Sequence, residues 1–394
     1  MTALDLARQS HALLQTIRRD LHAHPELAFA ETRTAEIVAG QLAGWGVEVH
    51  RGLAGTGVVG VIRAGEGRRA LGLRADMDAL PIAEANSFAH RSKVEGCMHG
   101  CGHDGHSAML LGAAKILAER RDFDGAVYLI FQPGEEGAGG ARAMIEDGLF
   151  ERFPMEAVFG MHNWPGLPAG DFAVHTGPVM AGTDRFGIHI RGVGAHAAMP
   201  HLGVDPVLAG AALVQAIQSV VARTLDPLEA AVVSVTCFHA GDTFNVLPER
   251  AELSGTVRSF SAAVREKALA RLRGLCAGVA EAFGVEIAFE LFSGGYPPTV
   301  NTAAEAAHCA RAAAAVAGRA HVRTGERPST GAEDFAYYLQ HKPGAYIWIG
   351  NGECGEDAAS AALHNPAYDF NDNILAAGAA YWVELVRLLL PRTR

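Results

Sequence analysis

Apolar residues recur along the chain at two spacings, which predict alternating strands and helices. Leu14, Ile17 and Leu21 have helical spacing and predict an amphipathic helix that ends near "HAHPEL". Further helices are predicted at about 31–42, "HSAMLLGAAKILAERR", "GARAMIEDGLF" and "ILAAGAAYWVELVRLLL". Short apolar runs rich in β-branched residues predict strands at "VEVH", "GVVGVI", "ALGLRAD", "AVYLIF", "EAVFGMHN" and "AYIWIG". This alternation predicts an α/β fold with helices on both faces of a sheet.

The pattern changes near Asp184. Phe186, Ile188 and Ile190 alternate with other residues as in a half-buried strand. A helix over about 205–224, strands at "AAVVSVTCF" and "AELSGTVRSF", a helix over about 262–283 and a strand at "VEIAFELF" follow. Strand-helix-strand occurring twice is typical of a small split βαβ (α+β) domain. We therefore predict that this domain, at 184–293, is inserted into a discontinuous α/β domain formed by 1–183 and 294–394.

Length and charge narrow the class of protein. A chain of 394 residues favours two domains, and the net charge of −10 argues against nucleic acid or an anionic membrane as the main partner. The first residues lack the apolar core of a secretory signal, and no stretch approaches the roughly 20 apolar residues of a membrane span. We expect a cytoplasmic protein. Its six cysteines are then free thiols or metal ligands: Cys97, Cys101, Cys237, Cys276, Cys309 and Cys354.

Polar residues follow several predicted strands at the point where each strand ends. Asp76 and Asp78 follow "ALGLRA", and His162 follows "AVFGM". Glu135 and Glu136 follow "AVYLIFQPG", although adjacent carboxylates repel each other and are costly to bury without a partner. The carboxyl ends of strands in open α/β sheets are where ligands bind. We therefore predict a ligand site at this edge of the sheet.

The stretch "GCMHGCGHDGHSA" lies between the first two of these sets. It holds four glycines together with Cys97, His99, Cys101, His103, Asp104 and His106. Thiolate, imidazole and carboxylate groups suit zinc or manganese, and glycines allow the tight turns that bring close neighbours to one ion. The cluster predicts a metal site, in which His99 and His106 could be only hydrogen-bonded loop residues.

Seven motifs make the chain resemble a known family. "RADMDALPI", "MHGCGHDGHSAMLLGAA", "FQPGEEG", "GMHNWPG", "GVGAHAAMP", "STGAEDFAYY" and "LHNPAYDFND" resemble, in this order, the M20 metallopeptidase superfamily. The match is to its amidohydrolase branch of hippurate hydrolases, N-acyl-amino-acid amidohydrolases and auxin-conjugate hydrolases, and it runs from about His22 to near Asn373. The resemblance implies an α/β domain that holds two divalent metal ions per subunit. It also implies an inserted lid domain that forms a homodimer or a dimer of dimers.

The resemblance also implies roles for residues of the metal site. Glu135 would be the general base, and its neighbour Glu136 would be a metal ligand. Many peptidases of the superfamily have His-x-Asp where this chain has Asp76 and Asp78, so we interpret this pair as orienting the ligands, or else as capping a strand-end turn. The implied metal ligands are Cys101, His103, Glu136, His162 and His364.

In the lid, the resemblance implies a second set of functional residues. His196 would polarise the scissile carbonyl, and Asn245 and Arg258 would bind the carboxylate of the amino acid, which a bidentate arginine fits well. The other interpretations are a solvent-exposed turn for His196 and a surface arginine with a packed stem for Arg258.

These observations predict a metal-dependent amidohydrolase. Its substrate would be a small N-acyl amino acid with an acetyl, benzoyl or longer acyl group, and its ions would be Mn²⁺ or Zn²⁺, with Co²⁺ or Ni²⁺ as alternatives. The rivals are a dipeptidase or aminopeptidase of the same superfamily, a non-catalytic metal-binding protein, and a cysteine hydrolase that uses Cys97 or Cys101. Glu135 argues against metal storage, because storage needs no carboxylate outside the ligand set.

Overall fold

The computed structural model describes residues 1–352 and 361–392, so Cys354 lies outside the described residues. The chain forms two compact units. The first comprises Met1–Val179, Val300–Arg327 and Asp334–Arg394, and the second comprises Met180–Thr299 and Pro328–Glu333. The range 184–293, predicted as an inserted domain, lies within the second unit.

The strands and helices have the following bounds. The strands are β1 Glu48–Leu53, β2 Gly57–Ala64, β3 Ala70–Asp76, β4 Gly125–Gln132, β5 Ala157–Pro165, β6 Phe172–Ala173, β7 Pro178–Met180, β8 Gly182–Arg191, β9 Ala195–His196, β10 Ala231–Ala240, β11 Val246–Leu247, β12 Arg250–Ser259, β13 Glu286–Tyr296, β14 Thr299–Val300, β15 Val322–Arg323 and β16 Gly344–Gly352. The α-helices are α1 Ala3–Gln9, α2 His11–Ala23, α3 Thr32–Gly44, α4 His103–Arg120, α5 Gly140–Glu146, α6 Leu149–Arg152, α7 Pro206–Ile217, α8 Ala262–Phe283, α9 Ala303–Ala317, α10 Ala336–His341 and α11 Leu375–Leu389.

The first unit is built on a mixed sheet of eight strands in the order β1-β2-β4-β3-β5-β16-β6-β15. At its centre β4, β3, β5 and β16 run parallel. Every residue of β3 and β4 is buried, as expected of parallel strands covered on both faces. Asp76 at the end of β3 pairs with Gln132 at the end of β4. The carboxyl ends of these strands therefore meet at one edge of the sheet.

Helices α4 and α11 pack against each other in the main core of the first unit. Residues of both helices join alternate residues of the strands, such as Leu73, Leu129 and Met161, in one apolar cluster. The chain starts with a short helix that the apolar spacing did not predict, α1, which Thr2 and Asp5 begin with a reciprocal capping box. The helix predicted from Leu14, Ile17 and Leu21 is α2.

The second unit contains an antiparallel sheet of four strands in the order β10-β12-β8-β13. Phe186, Ile188 and Ile190 of β8 are buried against residues of α7 and α8, in agreement with the alternating pattern. The predicted fold class is thus confirmed in both units. The helix predicted at 205–224 is interrupted, because α7 ends at Ile217 and a π-helical turn spans Val220–Thr224. The β-branched residues Val220 and Val221 lower the helix propensity of this turn.

Among the residues that the structure describes, no helix combines the length and the apolar character required to cross a bilayer.

Candidate metal centre

The tight turn before α4 positions the Cys/His cluster. Gly102 has a left-handed backbone with φ of 95°, and a Cβ at this position would lie 2.2 Å from Oδ1 of Asn163. Only glycine satisfies both constraints. The helix begins at His103, within the cluster rather than after it, so that His103 and His106 lie on its first turn. Cys101 and both histidines are buried.

Donor atoms from four parts of the chain converge beside this turn. Sγ of Cys101 lies 3.4 Å from Nε2 of His162. Oε1 of Glu136 lies 3.2 Å from Nε2 of His364 and 3.9 Å from Nε2 of His103. Potential ligand atoms come within 4.8 Å of one another in three overlapping groups: Cys101, His103 and His162; Cys101, Glu136 and His364; and His103, Glu135 and Glu136. The structure therefore brings together the five ligands implied by the resemblance and Glu135.

Among the described residues, two of these atoms are buried without a hydrogen bond. They are Nε2 of His103 and Oε1 of Glu136, and they are close to each other. Buried polar atoms in folded proteins nearly always have a partner. A divalent cation would satisfy both atoms, and a set of thiolate, imidazole and carboxylate groups is the donor chemistry that Zn²⁺ and related ions take. The residues present thus fit a metal site.

The other ring nitrogens of the histidines are already engaged. Nδ1 of His103 lies 2.8 Å from the carbonyl oxygen of Asp78 and 3.2 Å from its Oδ1. Nδ1 of His162 lies 2.6 Å from the carbonyl oxygen of Asn163. Because each Nδ1–H donates to an oxygen, the neutral form of each ring has its lone pair on Nε2, which is the tautomer that a metal ligand requires.

Asp76 and Asp78 contact the side chains that converge here. Asp76 accepts from Nη1 of Arg74 at 2.7 Å and lies 2.6 Å from Nδ1 of His106. Its Oδ2 is also 3.7 Å from Nε2 of His103, so Asp76, His103 and His106 form a further group of convergent donors. Oδ2 of Asp78 accepts from the backbone N–H of Glu136 at 2.9 Å. Asp78 thus fixes both an imidazole and the turn that carries the two glutamates.

A buried polar network that the sequence analysis did not identify lies next to Glu135. The backbone N–H of Asp334 donates to Oε1 of Glu135 at 3.2 Å. The carboxylate of Asp334 accepts from Nη2 of Arg74 at 3.0 Å and from Nε2 of Gln132 at 2.8 Å. All of these side chains are buried. In the sequence, the one local indication of this network is Arg74, a charged residue inside the apolar run "ALGLRAD".

His106 also takes part in buried hydrogen bonds next to the candidate metal ligands. Its Nε2 lies 2.7 Å from Oδ1 of Asn163, whose Nδ2 donates to the hydroxyl of Tyr368 at 2.5 Å. His99, in contrast, is buried with neither ring nitrogen hydrogen-bonded, and burial lowers its pKa to about 4. His99 is therefore a neutral core residue at physiological pH.

Burial and neighbouring charges shift the pKa values of three of these donors. Burial raises the pKa of the Cys101 thiol well above its ordinary value, and the carboxylates of Glu136 and Glu135 raise it further. Burial opposes the protonation of His103, yet Asp76 and Asp78 outweigh it and raise the pKa to about 10. Burial, together with His106, lowers the pKa of His162. A divalent cation held by these residues would favour the thiolate and the neutral imidazole.

The predicted lid residues lie in the second unit. His196 of β9 pairs with Val246 of β11, and its Nδ1 accepts from the backbone N–H of Ala198 at 3.1 Å. The carbonyl oxygen of Asn245 accepts from the backbone N–H of Ala197 at 3.0 Å, so His196 and Asn245 share one small ladder. Arg258 lies on β12, half-buried, and burial lowers its pKa. Their roles remain predictions.

Comparison with known proteins agrees with this geometry. Residues 72–388 match the model of peptidase family M20/M25/M40. The hippurate hydrolase of Campylobacter jejuni is 40% identical over 94% of this chain and 95% of its own length. The N-acetylcysteine deacetylase of Bacillus subtilis is 39% identical over 96% of this chain and 97% of its own length. The crystal structure of the Bacillus subtilis YXEP protein, described as a dinuclear metal binding peptidase from the M20 family, has a TM-score of 0.85 and 35% identity, with 97% of this chain and 99% of that chain covered.

Together with the fold and the convergent donors, these relatives define a metal-dependent hydrolase of the α/β class. The chain belongs to the peptidase family M20/M25/M40, and within it the relatives identify a metal-dependent amidohydrolase.

Behind the first turn of α4 lies a buried ion network. Nδ1 of His22 is 2.8 Å from Oδ2 of Asp104, and Nε2 of His22 is 3.2 Å from Oε1 of Glu84. Nε of Arg18 lies 3.0 Å from the same oxygen of Asp104. Burial lowers the pKa of His22, but hydrogen bonds to Asp104 and Glu84 outweigh it and raise the pKa to about 9. Protonated His22 therefore helps to hold the start of α4, where the Cys/His cluster lies.

This network predicts a pH dependence of stability. Because the pKa of His22 is raised on folding from 6.5 to about 9, its stabilisation is fully present below pH 6.5 and is lost as the pH rises through 9. Between these limits we expect a loss of about 3 kcal/mol of unfolding free energy. Thermal melts of metal-saturated protein from pH 6 to 10 measure it. His22→Gln should flatten the profile, whereas exposed His201→Gln should leave it unchanged. An unchanged profile in His22→Gln would refute this role.

Proposed function

We propose that the protein hydrolyses the amide bond of N-acyl amino acids to a carboxylic acid and a free amino acid. The observation that carries this proposal is the convergence of buried thiol, imidazole and carboxylate donors next to Glu135, a carboxylate that contacts the backbone of Asp334. The relatives named hippurate hydrolase and N-acetylcysteine deacetylase, which span nearly the same length, are both named for N-acyl amino acids.

The donor set supports an assignment of the metal ligands. Two divalent ions, Mn²⁺ or Zn²⁺, would be held by Cys101, His103, Glu136, His162 and His364, with Asp76 and Asp78 orienting the imidazoles. When bound, such ions lower the pKa of a water molecule and polarise the carbonyl of the substrate. The chain's own contribution is to fix the donors: Asp78 orients His103, and the carbonyl of Asn163 orients His162.

The two adjacent glutamates have different surroundings, which supports different roles. Oε1 of Glu136 points towards His103 and His364, as a ligand would. Oε1 of Glu135 accepts a hydrogen bond from the backbone of Asp334, and the side chain is 6% exposed. Glu135 would accept the proton of the attacking water and pass it to the departing nitrogen. The contact with Asp334 holds its carboxylate in place for both transfers.

Three residues of the second unit have proposed roles of their own. His196 would stabilise the developing charge on the scissile carbonyl oxygen, and Asn245 and Arg258 would bind the carboxylate of the amino acid. The half-buried position of Arg258 supports this role, because a partly desolvated guanidinium binds a carboxylate more strongly than an exposed one. Strand β10 lies at an edge of the four-stranded sheet in the described part of the chain, and this edge would pair with a second copy in a homodimer or a dimer of dimers.

Metal removal tests the proposal. We expect dialysis against a chelator to abolish hydrolysis of N-acetyl and N-benzoyl amino acids, and added Mn²⁺, Zn²⁺ or Co²⁺ to restore it. Cys101→Ser should weaken metal binding about tenfold or more because it removes a ligand. Cys97→Ser is the matched control: Cys97 is buried four residues away, yet it belongs to none of the convergent donor groups of the described residues.

Three results would contradict the proposal. Full activity in protein shown by elemental analysis to be metal-free would exclude a metal-dependent reaction. Loss of activity on thiol alkylation of the metal-loaded enzyme would favour a cysteine hydrolase. Faster hydrolysis of dipeptides than of every N-acyl amino acid would favour the peptidase alternative.

Arg258 gives a prediction about substrate binding. Arg258→Ala should raise KM roughly 10- to 100-fold for substrates with a free carboxylate and leave kcat nearly unchanged, because a charge-assisted contact present in both the ground state and the transition state is lost. The same substrates as carboxamides should show little change. Exposed Arg250 lies on the same strand, so Arg250→Ala is the control. Equal effects on acids and amides would remove Arg258 from the carboxylate site.

A further inference from the structure

The loop between α2 and α3, residues 24–31, exposes two large apolar side chains. Leu27 and Phe29 are each 42% exposed. Phe29 also has a left-handed backbone with φ of 60°. Bulky residues seldom adopt this conformation, which costs of order 1–3 kcal/mol and tends to occur at functional sites.

Two acidic residues hold this loop in its strained shape. Glu31 is fully buried, and its Oε1 accepts from the backbone N–H groups of Phe29 and Gly134, both at 2.9 Å. Its Oε2 accepts from the hydroxyl of Thr56 at 2.6 Å. The carboxylate of Glu26 accepts from the backbone N–H groups of Arg33 and Thr34, at 2.9 and 2.8 Å, and so caps the first turn of α3.

The same contacts attach the loop to the metal centre. The carbonyl oxygen of Glu26 accepts from the backbone N–H of Ala79 at 2.8 Å, directly after Asp78. Glu31 bonds Gly134, directly before Glu135. The loop is thus tied to both of the turns that carry the site's carboxylates.

The ring of Phe29 lies against the turn that carries the two glutamates. A Cβ at Gly134 would lie 3.1 Å from Cζ of Phe29 and 3.2 Å from Cε1 and Cε2. Glycine therefore lets the aromatic ring approach the backbone that leads directly into Glu135. This exposed aromatic ring, fixed against the backbone of Gly134, does not belong to the apolar core cluster of the first unit.

We propose that Phe29 forms an apolar wall of the subsite for the acyl group and favours aromatic and longer aliphatic acyl groups over acetyl. This inference rests on the proposed function and names the specificity of the same site. The charge around Phe29 favours the acyl end of the substrate over its amino-acid end. Glu26, Glu31 and Glu135 all belong to this loop or to the turn it contacts, and they would repel the carboxylate of the amino acid. An aromatic acyl group would instead gain contact with the exposed ring.

The experiment compares kcat/KM for the N-benzoyl and N-acetyl forms of one amino acid, in metal-loaded enzyme. Phe29→Ala should lower the benzoyl-to-acetyl ratio roughly tenfold, mainly through KM, with unchanged metal content. Phe29→Gly should lower the ratio equally while it relieves the backbone strain, so its melting temperature should be at least that of Phe29→Ala. Phe29→Tyr should preserve the ratio. Phe150→Ala, which removes a partly buried ring on α6, is the matched control and should leave the ratio unchanged.

The outcomes separate this inference from the function on which it rests. Failure of the wild-type enzyme to hydrolyse any N-acyl amino acid would overturn the proposed function. Hydrolysis by the wild type, with the same ratio in Phe29→Ala and Phe29→Gly, would overturn the acyl-site assignment alone. An equal loss of both activities would likewise overturn it, because it would show that Phe29 only supports the fold of the loop.

Discussion

The concentration of negative charge at the carboxyl edge of the large sheet is the constraint on which the rest of the structure depends. Asp76, Asp78, Glu135 and Asp334 are buried there, and Glu136 lies beside them. Burying like charges close together is strongly unfavourable without compensation. Arg74 offsets part of this charge through Asp76 and Asp334. The remaining imbalance, together with the unsatisfied atoms of His103 and Glu136, is what divalent cations would neutralise.

The surrounding fold buries much of this edge and positions its side chains. Strands β3 and β4 are buried along their whole length, so the groups at their ends are poorly screened by water. Gly102 allows the turn before α4 to approach Asn163, and Gly105 allows the helix to approach Phe370, where a Cβ would lie 2.1 Å from the ring. Behind them, Arg18 and His22 hold Asp104. The metal donors are therefore positioned by packing on one side and by ion pairs on the other.

Much of the fold and of the donor set was predictable from the sequence, for local reasons. The strands are continuous apolar runs, and the donors Asp76, Glu136 and His162 follow or end such runs. The structure brings the five implied ligands together with Glu135, as the motif resemblance requires. The sequence does not decide the role of His106, because a histidine in a glycine-rich stretch has no periodic pattern that reveals its partners.

The residues that the sequence does not reveal contact partners that are far away along the chain. Arg74 and Asp334 are 260 positions apart, and Glu31 and Gly134 are 103 apart. No spacing or propensity rule connects such pairs, since only the tertiary fold brings them together. The strained backbone of Phe29 is likewise invisible in the sequence, because phenylalanine in a loop favours negative φ.

The two adjacent glutamates are expected to have different roles, Glu135 as the general base and Glu136 as a metal ligand. The most direct test measures metal content and hydrolysis rate together in Glu135→Gln and Glu136→Gln, with the same N-acyl amino acid. We predict that Glu135→Gln retains the full metal content and loses activity by about 10²-fold or more, as expected for a missing general base. Glu136→Gln should lose both metal and activity. Equal metal content with equal residual rates in the two variants would contradict the account.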